Sequence, residues 1–145
     1  MRMLLRPLTL AALTIPALLP LAAPANAQLA GDFQDARVEV SPGCAGTVRA
    51  EVSVIPLPTH AAGVGVGVLF RGDRQDPACS ATTTVSWRNT ASGATGSQDV
   101  TVSSVPAPGG IFPTDHGYAR VVADTGPGTI VVTTTTNPGE VSVTV

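Results

Sequence analysis

The chain has 145 residues, with ten acidic and eight basic side chains, 43% hydrophobic and only 3% aromatic residues. Every basic residue is arginine and no basic cluster occurs, which argues against nucleic acid or an anionic membrane surface as partner. The length suits one domain with a real core and is short for two.

Met1 to Ala27 reads as a secretory signal peptide. Arg2 and Arg6 give it a positive start, and Leu8 to Leu21 form an apolar stretch interrupted by Pro16 and Pro20. Ala25-Asn26-Ala27 supplies the small residues that a signal peptidase accepts, placing cleavage before Gln28. The apolar stretch falls short of the ~20 residues of a membrane span, and no second one follows, so no span is expected after processing. Arg2 and Arg6 are not adjacent, as twin-arginine export requires, and Cys44 lies too far downstream to be a lipidated N-terminus. The expected product is 118 residues carrying ten acids against six arginines. It would be secreted, in the extracellular space or cell envelope, where a disulfide persists.

Residues 28–145 are expected to form a single all-β domain. Arg37 to Val40 reads as a first strand. In Thr47 to Val54 the even positions are apolar and the odd ones polar, the period of a half-buried strand. Pro56 and Pro58 end it. Gly63 to Phe70 alternates glycine with valine, and Cys79, Ala81, Thr83, Val85 and Trp87 share one face of the next strand. Asn89 to Ser97 reads as a turn before a strand over Gln98 to Val105. Beyond the irregular Pro106 to Gly110 come strands at Tyr118 to Ala123 and Thr129 to Thr136. Asn137-Pro138-Gly139-Glu140 fits a type II turn, and Val141, Val143 and Val145 mark a last strand. About seven or eight short strands and no helical period predict an antiparallel β-sandwich, immunoglobulin-like and Greek-key in type.

Cys44 and Cys79 are the only cysteines, and both fall at strand starts on inward parity. The expectation is one structural disulfide. Closing a 35-residue loop restricts the unfolded chain by about 3.8 kcal/mol at most. No Cys-x-x-Cys or flanking His or Lys suggests redox work.

Catalytic signatures are absent from the sequence. His60 and His116 stand far apart with no ligand-spaced partners for zinc. There is no Gly-x-Ser-x-Gly elbow, no distinguished carboxylate pair for glycoside hydrolysis, and the spacing of Gly63, Gly65 and Gly67 is not that of a phosphate loop. The chain is therefore expected to be non-catalytic, without metal or cofactor. Arg71-Gly72-Asp73 spells an integrin tripeptide but reads more simply as a charged turn. Asp73 and Asp76 are too few for a calcium cage.

Two features invite a binding role. Gly63, Gly65 and Gly67 strip one face of a strand of side chains at a cost of roughly 0.5–1 kcal/mol each, which suits close approach by another part of the chain, a partner strand or a flat apolar ligand; the plainer reading is a tight sheet–sheet contact or an edge strand of relaxed composition. Ser86-Trp87-Arg88 resembles the inhibitory turn of small secreted α-amylase inhibitors of the tendamistat type, and His116 to Arg120 resembles a late segment of the same proteins. Asn89 replaces the aromatic that follows the arginine in that family, and strand parity places Trp87 in the core. Asp115-His116-Gly117-Tyr118 resembles the tyrosine corner of immunoglobulin domains, although Arg120 stands where their cysteine would be.

The expected role is a binding or structural module engaging an extracellular protein or cell-wall component, whose identity the sequence leaves open together with the oligomeric state. The alternatives are a carrier of a small apolar ligand resting near Gly63 to Gly67, and an inhibitor of a secreted hydrolase such as α-amylase acting through Trp87 and Arg88.

Overall fold

The computed structural model describes residues 28–59, 62–109 and 114–145. The expected signal peptide, with Ala25 and Ala27 at its cleavage site, lies outside the described residues, as does His60. Among the described residues nine strands are formed: β1 (Gln28–Asp32), β2 (Ala36–Ser41), β3 (Cys44–Ile55), β4 (Gly63–Gly72), β5 (Ser80–Asn89), β6 (Thr95–Ser103), β7 (Gly117–Ala123), β8 (Thr129–Thr134) and β9 (Glu140–Thr144). No helix occurs among the described residues.

The strands make two antiparallel sheets. In the five-stranded sheet β3 pairs with β4 and β4 with β7, while β1 and β2 share the other edge of β3. The four-stranded sheet runs β6-β5-β8-β9. The pairings β4 with β7 and β5 with β8 join strands distant in sequence, because the chain changes sheet after β4, after β6 and after β7.

The alternation in the sequence decides what lies between the layers. Val48, Ala50 and Val52 of β3, Val64, Val66, Val68 and Phe70 of β4, and Val121 of β7 face inward and are buried. Val85 of β5, Val100 and Val102 of β6, Ile130 and Val132 of β8, and Val141 and Val143 of β9 close on them from the other sheet. Each such valine contributes roughly 1.5–3 kcal/mol of burial, and its branched Cβ suits the pleated backbone.

Cys44, opening β3, and Cys79, one residue before β5, form a disulfide with their Cα atoms 5.3 Å apart. The bridge joins the two sheets. Close by, Ser104 fastens the segment before β5: its hydroxyl donates to the Asp76 carbonyl at 2.8 Å, and its backbone N–H donates to the Cys79 carbonyl at 2.8 Å.

Several expected boundaries move. β1 was not anticipated; it exists by pairing with residues 51–54 of β3. The turn expected over Asn89 to Ser97 shrinks to residues 90–94, because β5 runs through Asn89 and β6 starts at Thr95. β6 ends at Ser103 and β8 at Thr134. Gly139 has φ of 88°, as the expected turn requires.

Two asparagines in these turns are buried. Asn89 Nδ2 donates to the carbonyls of Thr125 (2.9 Å) and Pro127 (3.0 Å), while its Oδ1 accepts from the N–H groups of Ala91 and Ser92. Asn137 Nδ2 donates to the carbonyls of Gln34 (3.0 Å) and Val48 (2.9 Å), tying the β8–β9 turn to β3. Asn89 thereby serves the buried bond to the Thr125 carbonyl and Asn137 the buried bond to the Val48 carbonyl.

Candidate functional site

The inner faces make the core, so the outer faces hold whatever meets another molecule. Register places the outer residues of the five-stranded sheet in rows. Arg49 of β3 faces Leu69 of β4, which faces Tyr118 of β7; Glu51 faces Gly67, which faces Arg120; Ser53 faces Gly65, which faces Val122. Leu29 of β1 sits beside Ser53. Leu29, Tyr118 and Val122 are 57%, 51% and 53% exposed, three of the four large apolar side chains that stand out among the described residues. Gly117, Ala119 and Val121 of β7 point inward, and Tyr118, Arg120 and Val122 point outward.

Gly63, Gly65 and Gly67 belong to this outer face. The strand that carries them is central, paired on both sides, and the glycines point away from the other sheet. The expectations of tight sheet–sheet packing or a relaxed edge strand are therefore corrected: long side chains of the flanking strands lie across the glycines. A Cβ at Gly65 would stand 2.6 Å from Arg120 Nη2, one at Gly67 would stand 3.1 Å from both Glu51 Cγ and Tyr118 Cε2, and one at Gly63 would stand 2.3 Å from Leu57 Cδ1 and 2.6 Å from the Ala123 carbonyl. Arg120 reaches over Gly65 to donate to Ser53 Oγ at 3.0 Å, and Ser53 Oγ donates to the Gly65 carbonyl at 3.3 Å.

Three hollows lie along this face. One, of about 220 Å³, lies over Gly67 between Leu29, Glu51, Tyr118 and Arg120. The next, of about 380 Å³, is bounded by Arg49, Leu69, Arg71, Asp115 and His116. A third, of about 460 Å³, shares Thr47, Arg71 and Asp115 with it and extends to Asp73 and Gln75. Arg71 is ion-paired with Asp115, and Arg37 with Asp73. Arg49 approaches Asp32 at 3.5 Å. The Arg37 guanidinium, hydrogen-bonded to Asp73, holds that carboxyl below its ordinary range. His116 Nδ1 lies 3.2 Å from the Gly117 carbonyl.

These placements answer the sequence motifs. Arg71 and Gly72 end β4, and the Asp73 N–H donates to the Ala45 carbonyl at 2.8 Å, so Arg71-Gly72-Asp73 is not a free loop tip and both of its charges are paired. Asp76 Oδ1 accepts from the Ala78 N–H at 2.9 Å, closing its own turn. No group of three or more His, Cys, Asp or Glu that could hold a metal occurs among the described residues.

Trp87 and Arg88 lie within β5, on the other sheet. Trp87 is half-buried, in part against the core as parity predicted, and its indole occupies the space that a side chain at Gly96 would need, 2.4 Å from a Cβ there. Arg88 is exposed beside a shallow hollow of about 430 Å³ shared with Ser86, Thr95, Thr133 and Glu140. Around it the outer face of the four-stranded sheet is mostly hydroxyl: Thr82 and Thr101 bond at 2.9 Å, and Thr84 donates to Asp99 at 2.6 Å.

Sequence reading missed Tyr118, Val122, Leu29, Glu51 and Arg120 as neighbours. Gly117 and Ala119, the small residues on either side of Tyr118, are the signal that could have found it; the rest depend on register. Fold and surface together define a two-layer, antiparallel, disulfide-tied β-sandwich with one varied and one hydroxyl-rich outer face. Comparison of the chain with protein families, curated proteins and solved structures finds no match.

Proposed function

We propose that this protein is a secreted, non-catalytic binding module that engages an extracellular macromolecule through the outer face of its five-stranded sheet. The observation that carries the reading is the gathering of Leu29, Tyr118 and Val122 on that one face, beside the hollows and among arginines and acids. Exposed apolar side chains scattered singly need no explanation; a group rimmed by polar residues marks a contact surface. A disulfide, and no helix among the described residues able to cross a membrane, are compatible with an extracellular setting. The immunoglobulin-like label covers the two antiparallel layers and the bridge between them. The β3–β4 hairpin within one sheet departs from the constant-domain order, in which the strand after B changes sheet.

The carrier alternative is weaker because the glycine lane is overlaid by Arg120, Glu51 and Tyr118, a poor seat for apolar cargo. The inhibitor alternative is weaker because Trp87 and Arg88 sit inside a strand and not on a protruding turn.

The test uses protein recovered from host culture supernatant, co-sedimented with the host's envelope fraction. Retention that is lost in Tyr118→Ala and kept in Arg88→Ala is the expected result. No retention, or retention indifferent to Tyr118, would overturn the reading. Native mass spectrometry of the same material should give the mass of Gln28–Val145 less two hydrogens; extra mass lost on denaturation would restore the carrier.

A further inference from the structure

The three hollows of the five-stranded sheet lie end to end along β4. From Gly72 to the row in which Ser53 faces Gly65 is seven residue steps, about 23 Å at ~3.3 Å per step, roughly the length of four linked pyranose rings. We propose that this row is a single groove that binds a linear, uncharged polysaccharide. The inference rests on the binding-surface reading above and names the ligand class.

Shape suits a polymer: the hollows are partly open and follow one another along β4, with Gly67, Leu69 and Gly72 in their linings in turn. Charge excludes a polyion, because Arg49, Arg71 and Arg120 are matched by Asp35, Glu51 and Asp115 along the lining and Asp73 is paired with Arg37, leaving no net field to attract one. Backbone geometry disfavours an extended peptide. β3 and β4 are paired on both sides, so their N–H and C=O groups are spent in the sheet and no strand can add to this face. Recognition falls to side chains alone.

Those side chains suit vicinal hydroxyls. A carboxylate accepts and a guanidinium donates two parallel hydrogen bonds each, matching adjacent hydroxyl groups on a ring. Among the described residues Glu51 makes no ion pair and Arg120 is engaged only with the Ser53 hydroxyl, so both stay available on either side of Gly67. Tyr118, half exposed next to Leu69 and across the hollow from Leu29, offers an apolar ring surface to the C–H face of a sugar, with its hydroxyl free for a polar contact.

The experiment titrates the full protein by calorimetry with cello-oligosaccharides and chito-oligosaccharides, from monosaccharide to hexasaccharide. In at least one series affinity should climb with length and level off near the tetrasaccharide. Tyr118→Ala and Glu51→Gln should each weaken binding by about tenfold or more, with the unfolding midpoint confirming that each variant is folded, while Arg88→Ala on the opposite sheet leaves binding unchanged. A monosaccharide bound as tightly as the hexasaccharide, or binding lost in Arg88→Ala and kept in Tyr118→Ala, would overturn the groove. If neither series binds, yet the envelope fraction is retained through Tyr118 and released by protease digestion, the partner is a protein: this inference fails and the binding surface stands. If neither oligosaccharides nor envelope bind, both fail.

Discussion

The two outer faces are built on the same valine-rich interior and differ in nearly everything else. The five-stranded sheet presents Tyr118, Leu29 and Val122 among paired and unpaired charges, over a central strand thinned by glycine. The four-stranded sheet presents Thr82, Thr101, Thr84 and Asp99 joined in cross-strand pairs, a surface that satisfies itself. Hydroxyl pairs of that kind suit the pleat and keep water content. The contrast teaches that inward parity fixes the fold, whereas the outward positions are free to specialise, and here one sheet has done so.

Breaking the tie between the faces should have the largest effect. Replacing Cys44 and Cys79 together with alanine should cost about 3–4 kcal/mol, seen as a lower urea midpoint; two separate transitions instead of one would show that the sheets fold independently. Asn137→Ala should cost about 2–3 kcal/mol by the same measurement, since the Val48 carbonyl loses its donor inside the protein and the Gln34 carbonyl loses one nearer the surface. A cost near zero would mean that water replaces the amide and the turn is not a clasp.

The glycines sharpen the comparison further. Gly63→Ala meets the Ala123 backbone and should cost about 1–3 kcal/mol. Gly65→Ala meets only the movable end of Arg120, so its stability should change by no more than about 0.5 kcal/mol, while the Arg120–Ser53 hydrogen bond is lost and ligand affinity falls. Equal costs at the two sites would contradict the view that Gly65 serves the surface and Gly63 the fold.

The smallest effect should come from Asp73. Its carboxyl is held below its ordinary pKa by Arg37, so its contribution is present above the unfolded value and disappears as pH falls through the folded one. The difference in melting temperature between the parent and Asp73→Asn should be small near neutrality and vanish in acid; a difference that grows on acidification would reverse the assignment. Both groups are solvent-exposed, and salt should reduce the effect.

Much of the interior was legible because period two is a direct consequence of the pleat. Val48, Val52, Val64, Val66 and Val85 needed no tertiary knowledge, and the inward parity of Cys44 and Cys79 foretold a bridge. β1 was not legible: Leu29 faces solvent, and Gln28 to Asp32 is a strand only because β3 offers it a partner. Asn89 and Asn137 were read as turn residues; Asn137 is one and Asn89 ends β5, and propensity does not say that their amides turn inward. Trp87 obeyed parity and packs against the core but is only partly buried, because its neighbour β6 is an edge strand. The varied outer face was invisible for a further reason. Glu51, Gly67 and Arg120 are scattered over sixty-nine positions of sequence, and only pairing of three strands sets them in one row.

One edge of the five-stranded sheet is divided between two short strands, each with a register shift against β3, at Leu29 to Gly31 and at Glu39 to Ser41. An unbroken exposed border would act as a template for another chain's backbone. Here no run on that border exceeds six residues, and Asp32, Arg37 and Glu39 add charge along it. A protein with so much valine and so few charged groups is exposed to amyloid-like self-association, and at this border the interruption and the charges oppose it.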